Sequence, residues 1–248
     1  MVRRPVIALV LTLTLLTAGF VTDLHAATIN PATCSAADVS RAINRASAGD
    51  TVQIPAGTCV WTTKLSSTVP ANISIIGAGS LATVGGGDAT VIVDNQTSTA
   101  DFLWSISTNA GGTFRLAGIT FQGGTGVVKE NAILFILGSS QQIRIDHSHF
   151  NCTSGCNNSK WIRFTGTMAG VVDRNRLDGS NQGNYIFFEG EDEGDAAWAQ
   201  VTGYGGAGMI YVEDNLVVSH SRVHGGATGC NNGGEFVIRY NHIPQSTV

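Results

Sequence analysis

The sequence predicts an all-β fold, a right-handed parallel β-helix with an N-terminal α-helical cap. A recurring eight-residue pattern is the first reason. Two alternating apolar residues, a polar step, an Asn or Ser and a further apolar residue return in Phe114-Arg-Leu-Ala-Gly-Ile-Thr-Phe121, Ile143-Arg-Ile-Asp-His-Ser-His-Phe150 and Gly170-Val-Val-Asp-Arg-Asn-Arg-Leu177. They return again in Ile210-Tyr-Val-Glu-Asp-Asn-Leu-Val217 and Phe236-Val-Ile-Arg-Tyr-Asn-His-Ile243. The spacing is the second reason: the sixth position holds Ile119, Ser148, Asn175, Asn215 and Asn241, at intervals of 29, 27, 40 and 26 residues. That range suits one structural unit per repeat, each stacking on the last. Composition is the third: 31 glycines supply turn conformations, and with only 13% charged residues the chain is neither disordered nor a charge-laced helix.

The elements follow in chain order. Arg3 and Arg4 precede an apolar run from Val6 to Phe20, and Ala26 and Ala27 offer small residues for cleavage, so residues 1–27 read as a secretory signal peptide. The run is short for a membrane span. The expected mature chain, 28–248, is one domain, with 28–60 forming the cap and first strand, and is exported to an extracellular or periplasmic space without a stable membrane span. Losing Arg3, Arg4 and Asp23 takes the formal net charge from −4 to −5, which excludes a basic field for nucleic acid.

Ser35 is the expected N-cap of a helix with Asp38 three residues on, an apolar face of Val39, Ala42, Ile43 and Ala46, and Gly49 as its end. Such a helix covers the open first rung of a solenoid. Thr51 to Ile54 and Ile73 to Ile76 read as the first strands, divided by a turn at Pro55-Ala-Gly57. Export permits disulfides. Cys34 and Cys59 bracket the N-terminal segment and are the expected pair; Cys152 and Cys156 offer a local bridge or, as the competing reading, two ligands of a metal; Cys230 is left over. Gly85-Gly-Gly87 lacks the strand and helix that frame a phosphate-binding loop. The last rung ends at Ile243 and the sequence at Val248, without a closing helix, so the solenoid reads as truncated at its C-terminus.

The stretch Cys34-Ser-Ala-Ala-Asp-Val to Gly49-Asp-Thr-Val-Gln-Ile-Pro-Ala-Gly-Thr-Cys59, then Ile73-Ser-Ile-Ile-Gly-Ala-Gly79, resembles the N-terminal cap of secreted bacterial β-helix proteins of the pectate-lyase-like superfamily. Ile145-Asp-His-Ser, Val212-Glu-Asp-Asn215 and Ile238-Arg-Tyr-Asn241 are similar to rungs of the same group. The resemblance covers most of the mature chain and implies the fold. It leaves the reaction open among lyases, hydrolases, esterases and adhesins. Where it implies pectate lyase chemistry, it implies calcium held by carboxylates and a basic residue that takes a proton; the arginine motif of those enzymes finds no match here.

Stacking itself points to candidate chemistry. Alternation sends Phe114, Leu116, Ile143, Ile145, Val172, Ile210, Val212, Phe236 and Ile238 inward. The position two before the repeating Asn then faces out, and its column reads Ala117, Asp146, Asp173, Glu213, Arg239. Carboxylates on rungs about 4.8 Å apart repel unless neutralised. A calcium ion on Asp146, Asp173 and Glu213, pairing with Arg144, Arg174, Arg176 and Arg239, or one acid with a raised pKa would each relieve this. The long interval before Asn215 carries Glu189, further acids, Trp198 and Tyr204, which suit either the wall of a sugar-binding groove or a solvated acidic loop. Arg176 is a further substrate-binding candidate.

The leading expectation is therefore a polysaccharide lyase that cleaves an acidic glycan by β-elimination. Arg239, Arg222 or His224 would serve as cation or base, with Glu213 beside calcium. A glycoside hydrolase built on Asp173, Glu213 and Asp214 is a second expectation, and a non-catalytic glycan-binding or adhesin-type solenoid a third. The expected partner is an extracellular polysaccharide; the sequence leaves the oligomeric state open.

Overall fold

A computed structural model describes residues 26–97, 102–108, 111–125, 132–140, 142–154, 156, 160–179, 186–189, 205–219, 228–231, 234 and 236–244. Within them the chain winds as a parallel β-helix of three sheets. The first sheet stacks β1 (Thr28–Ile29), β2 (Thr51–Gln53), β5 (Ile73–Ile76), β8 (Thr113–Ala117), β11 (Gln142–Asp146), β14 (Gly170–Asp173), β17 (Ile210–Glu213) and β20 (Phe236–Arg239). The second holds β3 (Gly57–Trp61), β6 (Thr90–Asp94), β9 (Thr120–Gly123), β12 (His149–Asn151), β15 (Arg176–Gly179) and β18 (Leu216–Ser219). The third holds β4 (Leu65–Thr68), β7 (Trp104–Thr108), β10 (Ala132–Gly138), β13 (Lys160–Thr165), β16 (Ile186–Glu189) and β19 (Thr228–Asn231). Each coil visits the sheets in this order, and every pairing among the described strands is parallel.

The recurrent sequence pattern is the corner between the first and second sheets. Two residues turn it in four coils, at 118–119, 147–148, 174–175 and 214–215. The first of each pair has a left-handed backbone: Gly118 φ 67°, His147 48°, Arg174 54°, Asp214 53°. The second is the repeating position, and its amides form a ladder. Asn175 Oδ1 accepts from Ser148 N at 2.9 Å, Asn215 Oδ1 from Asn175 N at 2.9 Å and Asn241 Oδ1 from Asn215 N at 3.0 Å. The amide nitrogen of Asn175 donates to Ile145 O, and that of Asn215 to Val172 O, both at 2.8 Å. A side-chain amide has the donors and acceptor needed to replace the backbone bonds that a corner interrupts.

The inward positions behave as alternation requires. Phe114, Leu116, Ile143, Ile145, Val172, Ile210 and Val212 are buried, while Ile238 is 44% exposed because its strand closes the described part of the sheet. Like residues stack from coil to coil, with Phe121 over Phe150 at 5.1 Å and Phe164 over Phe188 at 5.3 Å between ring centres. Gly170 takes an inward place because a Cβ there would lie 1.9 Å from Ile143 O.

The cap is α1 (Ala36–Arg45), with Ser35 Oγ accepting from Asp38 N at 3.2 Å and Val39, Ala42 and Ile43 buried. It ends at Arg45, four residues before the expected Gly49; Ala46 is extended, and Gly49, at φ 92°, serves the next turn instead. Cys34 pairs with Cys59 and Cys152 with Cys156. The side chain of Cys230 lies outside the described residues.

One expectation about strand order needs correction. Thr51 to Ile54 and Ile73 to Ile76 are not successive strands, since β3 and β4 lie between them; β3 exposes the apolar Val60 and β4 buries the polar Ser67, so neither short strand alternates cleanly. The 40-residue interval hides no extra rung on the first sheet. β14 pairs with β17 directly, Asp173 opposite Glu213, and the excess length follows β16.

Candidate functional site

The carboxylate column exists in register: Asp146 lies opposite Asp173, Asp173 opposite Glu213, and Glu213 opposite Arg239. It does not face solvent as expected, since Asp146 is fully buried and Asp173 only 6% exposed. Arginines roof it. Arg115 donates through Nε and Nη2 to the two oxygens of Asp146 at 2.8 and 2.6 Å, and Arg144 does the same to Asp173 at 3.0 and 2.7 Å. His147 Nδ1 lies 2.7 Å from Asp146 Oδ2, and Arg239 Nε donates to Glu213 at 2.5 Å. Burial alone would raise the Asp146 pKa, yet the bonds from Arg115 and His147 hold it below the usual carboxylate range.

Of the three neutralisers that the sequence allowed, arginine pairing is the one present in this geometry. Calcium needs several oxygens open to one point, whereas both oxygens of Asp146 and of Asp173 already accept from guanidinium groups. Among the described residues no three metal-ligating side chains converge. Asp146, Asp173 and Glu213 as arranged do not fit the ion.

Among the described residues, the other predicted ones do not meet at one place. Glu213 and Arg239 lie on the first sheet, where Arg239 also covers the ring of Tyr211 at 4.5 Å. Arg176 lies on the second sheet and binds Asp178 at 3.0 Å. Glu189 lies on the third. Each coil passes three faces, so residues that share a sequence period still point in different directions. Trp198, Tyr204, Arg222 and His224 lie outside the described residues.

Glu189 leads to a denser constellation that sequence reasoning missed. On the outer face of the third sheet, Ser105, Phe135, Arg163 and Phe187 occupy one register, and Ser107, Leu137, Thr165 and Glu189 the next. Phe102 stacks on Phe135 at 4.2 Å, and the Arg163 guanidinium lies 5.3 Å from the centre of the Phe135 ring. Lys160 Nζ lies 5.4 Å from the Phe187 ring centre. Glu189 accepts from Arg163 and, at 2.9 Å, from Thr165 Oγ1. Burial would raise the Glu189 pKa, but these donors hold it low. Burial, with Arg163 nearby, pushes the Lys160 ammonium below the ordinary lysine value.

This face combines half-buried aromatic rings with two cations and one acid, a set that can stack on a sugar ring and bind a carboxylate. The signal for it lay in Lys160-Trp-Ile-Arg-Phe-Thr165, where Arg163 and Thr165 alternate with inward Ile162 and Phe164. Phe135 gave none, because β10 is apolar on both faces.

The second sheet carries an open groove of about 670 Å³ past Val60, Val93, Asn95, Gln122, Thr125 and Ser154. Among the described residues its lining is uncharged, and they offer hydrogen bonds. Comparison with protein-family models, with curated proteins and with solved structures finds no match to this chain.

Proposed function

We propose that this chain is an exported carbohydrate-recognising β-helix of the pectate-lyase-like type, and that the outer face of its third sheet binds an acidic polysaccharide. The observation that carries the reading is Arg163 set in register between Phe135 and Phe187, with Lys160 beside them. Aromatic faces would stack on successive sugar rings while the cations meet uronate carboxylates. The export signal read from residues 1–27 and the two disulfides support an extracellular setting. Among the described residues no helix is long and apolar enough to cross a membrane.

Lys160 favours β-elimination as a second reading. A lysine held below its ordinary pKa has a larger neutral fraction and can take the C5 proton beside a uronate carboxylate, while Arg163 stabilises the negative charge that develops; the C4–C5 double bond then forms as the C4–O bond breaks, and the departing glycosyl oxygen takes a proton from solvent.

The test uses the chain from Thr28 onward with pectate, alginate and neutral polymers, with and without calcium, following both binding and absorbance of unsaturated uronates. Binding of an acidic polymer that Arg163→Ala or Lys160→Met weakens at least tenfold is expected. Absence of binding to every polymer would overturn the proposal. An absorbance rise that Lys160→Met abolishes would establish the lyase reading; binding without that rise would leave recognition alone.

A further inference from the structure

Between β5 and β6 the two-residue corner of the later coils is replaced by residues 77–89, which lie along the outside of the fold. This segment crosses three rungs. Gly79 N donates to Gly118 O at 3.1 Å and Gly85 N to Arg174 O at 3.0 Å, and a Cβ on Gly86 would fall 2.3 Å from His147 O. The Gly85-Gly-Gly87 run thus serves close approach to the corner column rather than phosphate binding.

The far end of the segment is fastened by one buried imidazole. His149 is 5% exposed, and both ring nitrogens meet carboxylates: Nδ1 lies 2.7 Å from Asp88 Oδ1 and Nε2 lies 3.1 Å from Asp178 Oδ2. A histidine with an acceptor at each nitrogen satisfies both only when doubly protonated. Asp88 belongs to the segment and also accepts from Thr120 Oγ1 of β9 at 2.6 Å; Asp178 belongs to β15 and also accepts from Arg176. Asp88, Asp178, Arg176 and Thr120 are the charged and polar groups that face the ring from the elements packed against it, among the described residues.

We propose that residues 77–89 form a strap latched to the β-helix by the His149 imidazolium, and that the latch opens as rising pH removes its proton. Burial opposes the charge on His149, but the bonds to Asp178 and Asp88 outweigh it and raise the pKa. A raised folded-state pKa gives a contribution that is complete below the unfolded value of about 6.5 and is lost as pH rises through the folded value. Asp88 and Asp178 are held below the ordinary carboxylate range, despite burial, by Thr120 and His149 for the first and by His149 and Arg176 for the second. Their share is present above about pH 4 and is lost as pH falls through their folded values. The strap is accordingly fully locked between about pH 4 and about pH 6.5, and loosens as pH passes beyond the folded values on either side. This holds whether or not the third sheet binds sugar.

The test is NMR on the folded chain. Ring ¹⁵N shifts report the protonation of His149, and amide exchange, corrected for its intrinsic pH dependence, reports the strap at Gly79, Gly85 and Gly86. A doubly protonated ring at pH 6.5, with protection of these amides falling at least tenfold as the ring titrates, is expected. A neutral ring at pH 6.5, or strap protection unchanged across the ring titration, would overturn the proposal. Because His149→Gln risks misfolding, Asp88→Asn is the second variant, its side chain being 56% exposed. It should lower strap protection tenfold at pH 6 and move the His149 titration to lower pH. Wild-type values in that variant would refute the latch.

Discussion

Replacing Asn175 by Ala tests the corner ladder most directly. The side chain is fully buried, and its amide makes three bonds: Nδ2 to Ile145 O at 2.8 Å, Nδ2 to Asn215 Oδ1 at 3.0 Å, and Oδ1 from Ser148 N at 2.9 Å. Alanine leaves the Ser148 N–H without a partner where water does not reach and takes one donor from the Ile145 carbonyl. The orphaned group costs about 1–3 kcal/mol and a lost buried bond about 1 kcal/mol, so the loss should be about 3 kcal/mol. Arg174, left-handed at φ 54°, also loses the anchor that follows it. Asn175→Ser should cost less, because Ser148 in the same column accepts from Ile119 N and donates to Asp146 O. Urea denaturation followed by circular dichroism gives the free energies, and exchange of the Ser148 amide gives the local effect. A loss under about 1 kcal/mol for Asn175→Ala, or equal losses for both variants, would show that the corner does not depend on the amide.

Further outcomes follow from the same contacts. Arg115→Gln should cost about 3 kcal/mol, the low end for breaking a buried pair because the guanidinium is a third exposed while Asp146 is fully buried. It should also move acid unfolding to higher pH. Asp146, held low in the folded chain, contributes stability above about pH 4 that is lost as pH falls through its folded value, and the variant raises that value. Fluorescence-monitored acid titration checks both. Removing the Cys34–Cys59 bridge, which closes a 25-residue separation, should cost about 3.5 kcal/mol by loop entropy, measured as a lower urea midpoint for the double Ser variant.

Much of the fold is legible because solenoid corners repeat. Asn175, Asn215 and Asn241 recur for one reason: each corner interrupts the same backbone bonds, and an amide restores them in the next rung. The apolar alternation of β8, β11, β14 and β17 marked their inward faces for the same local reason. Ser35 and the apolar face of α1 were readable because a cap is a bond between neighbours in sequence. β3 and β4 escaped, since their short polar strands depend on pairing with distant rungs.

By itself, the sequence determined the parallel β-helix, its helical cap, the Cys34–Cys59 pair and the in-register column of Asp146, Asp173 and Glu213. These arise from period, short-range hydrogen bonding and chain order. Packing between distant coils sets the rest: Arg115 and Arg144 roof that column, Glu213, Arg176 and Glu189 lie on three different faces, and Phe135, Arg163 and Phe187 share one. It also joins Asp88 to His149 across 61 residues. Those relations depend on how each coil is phased around three sheets and on where a long excursion folds back, which no local spacing encodes.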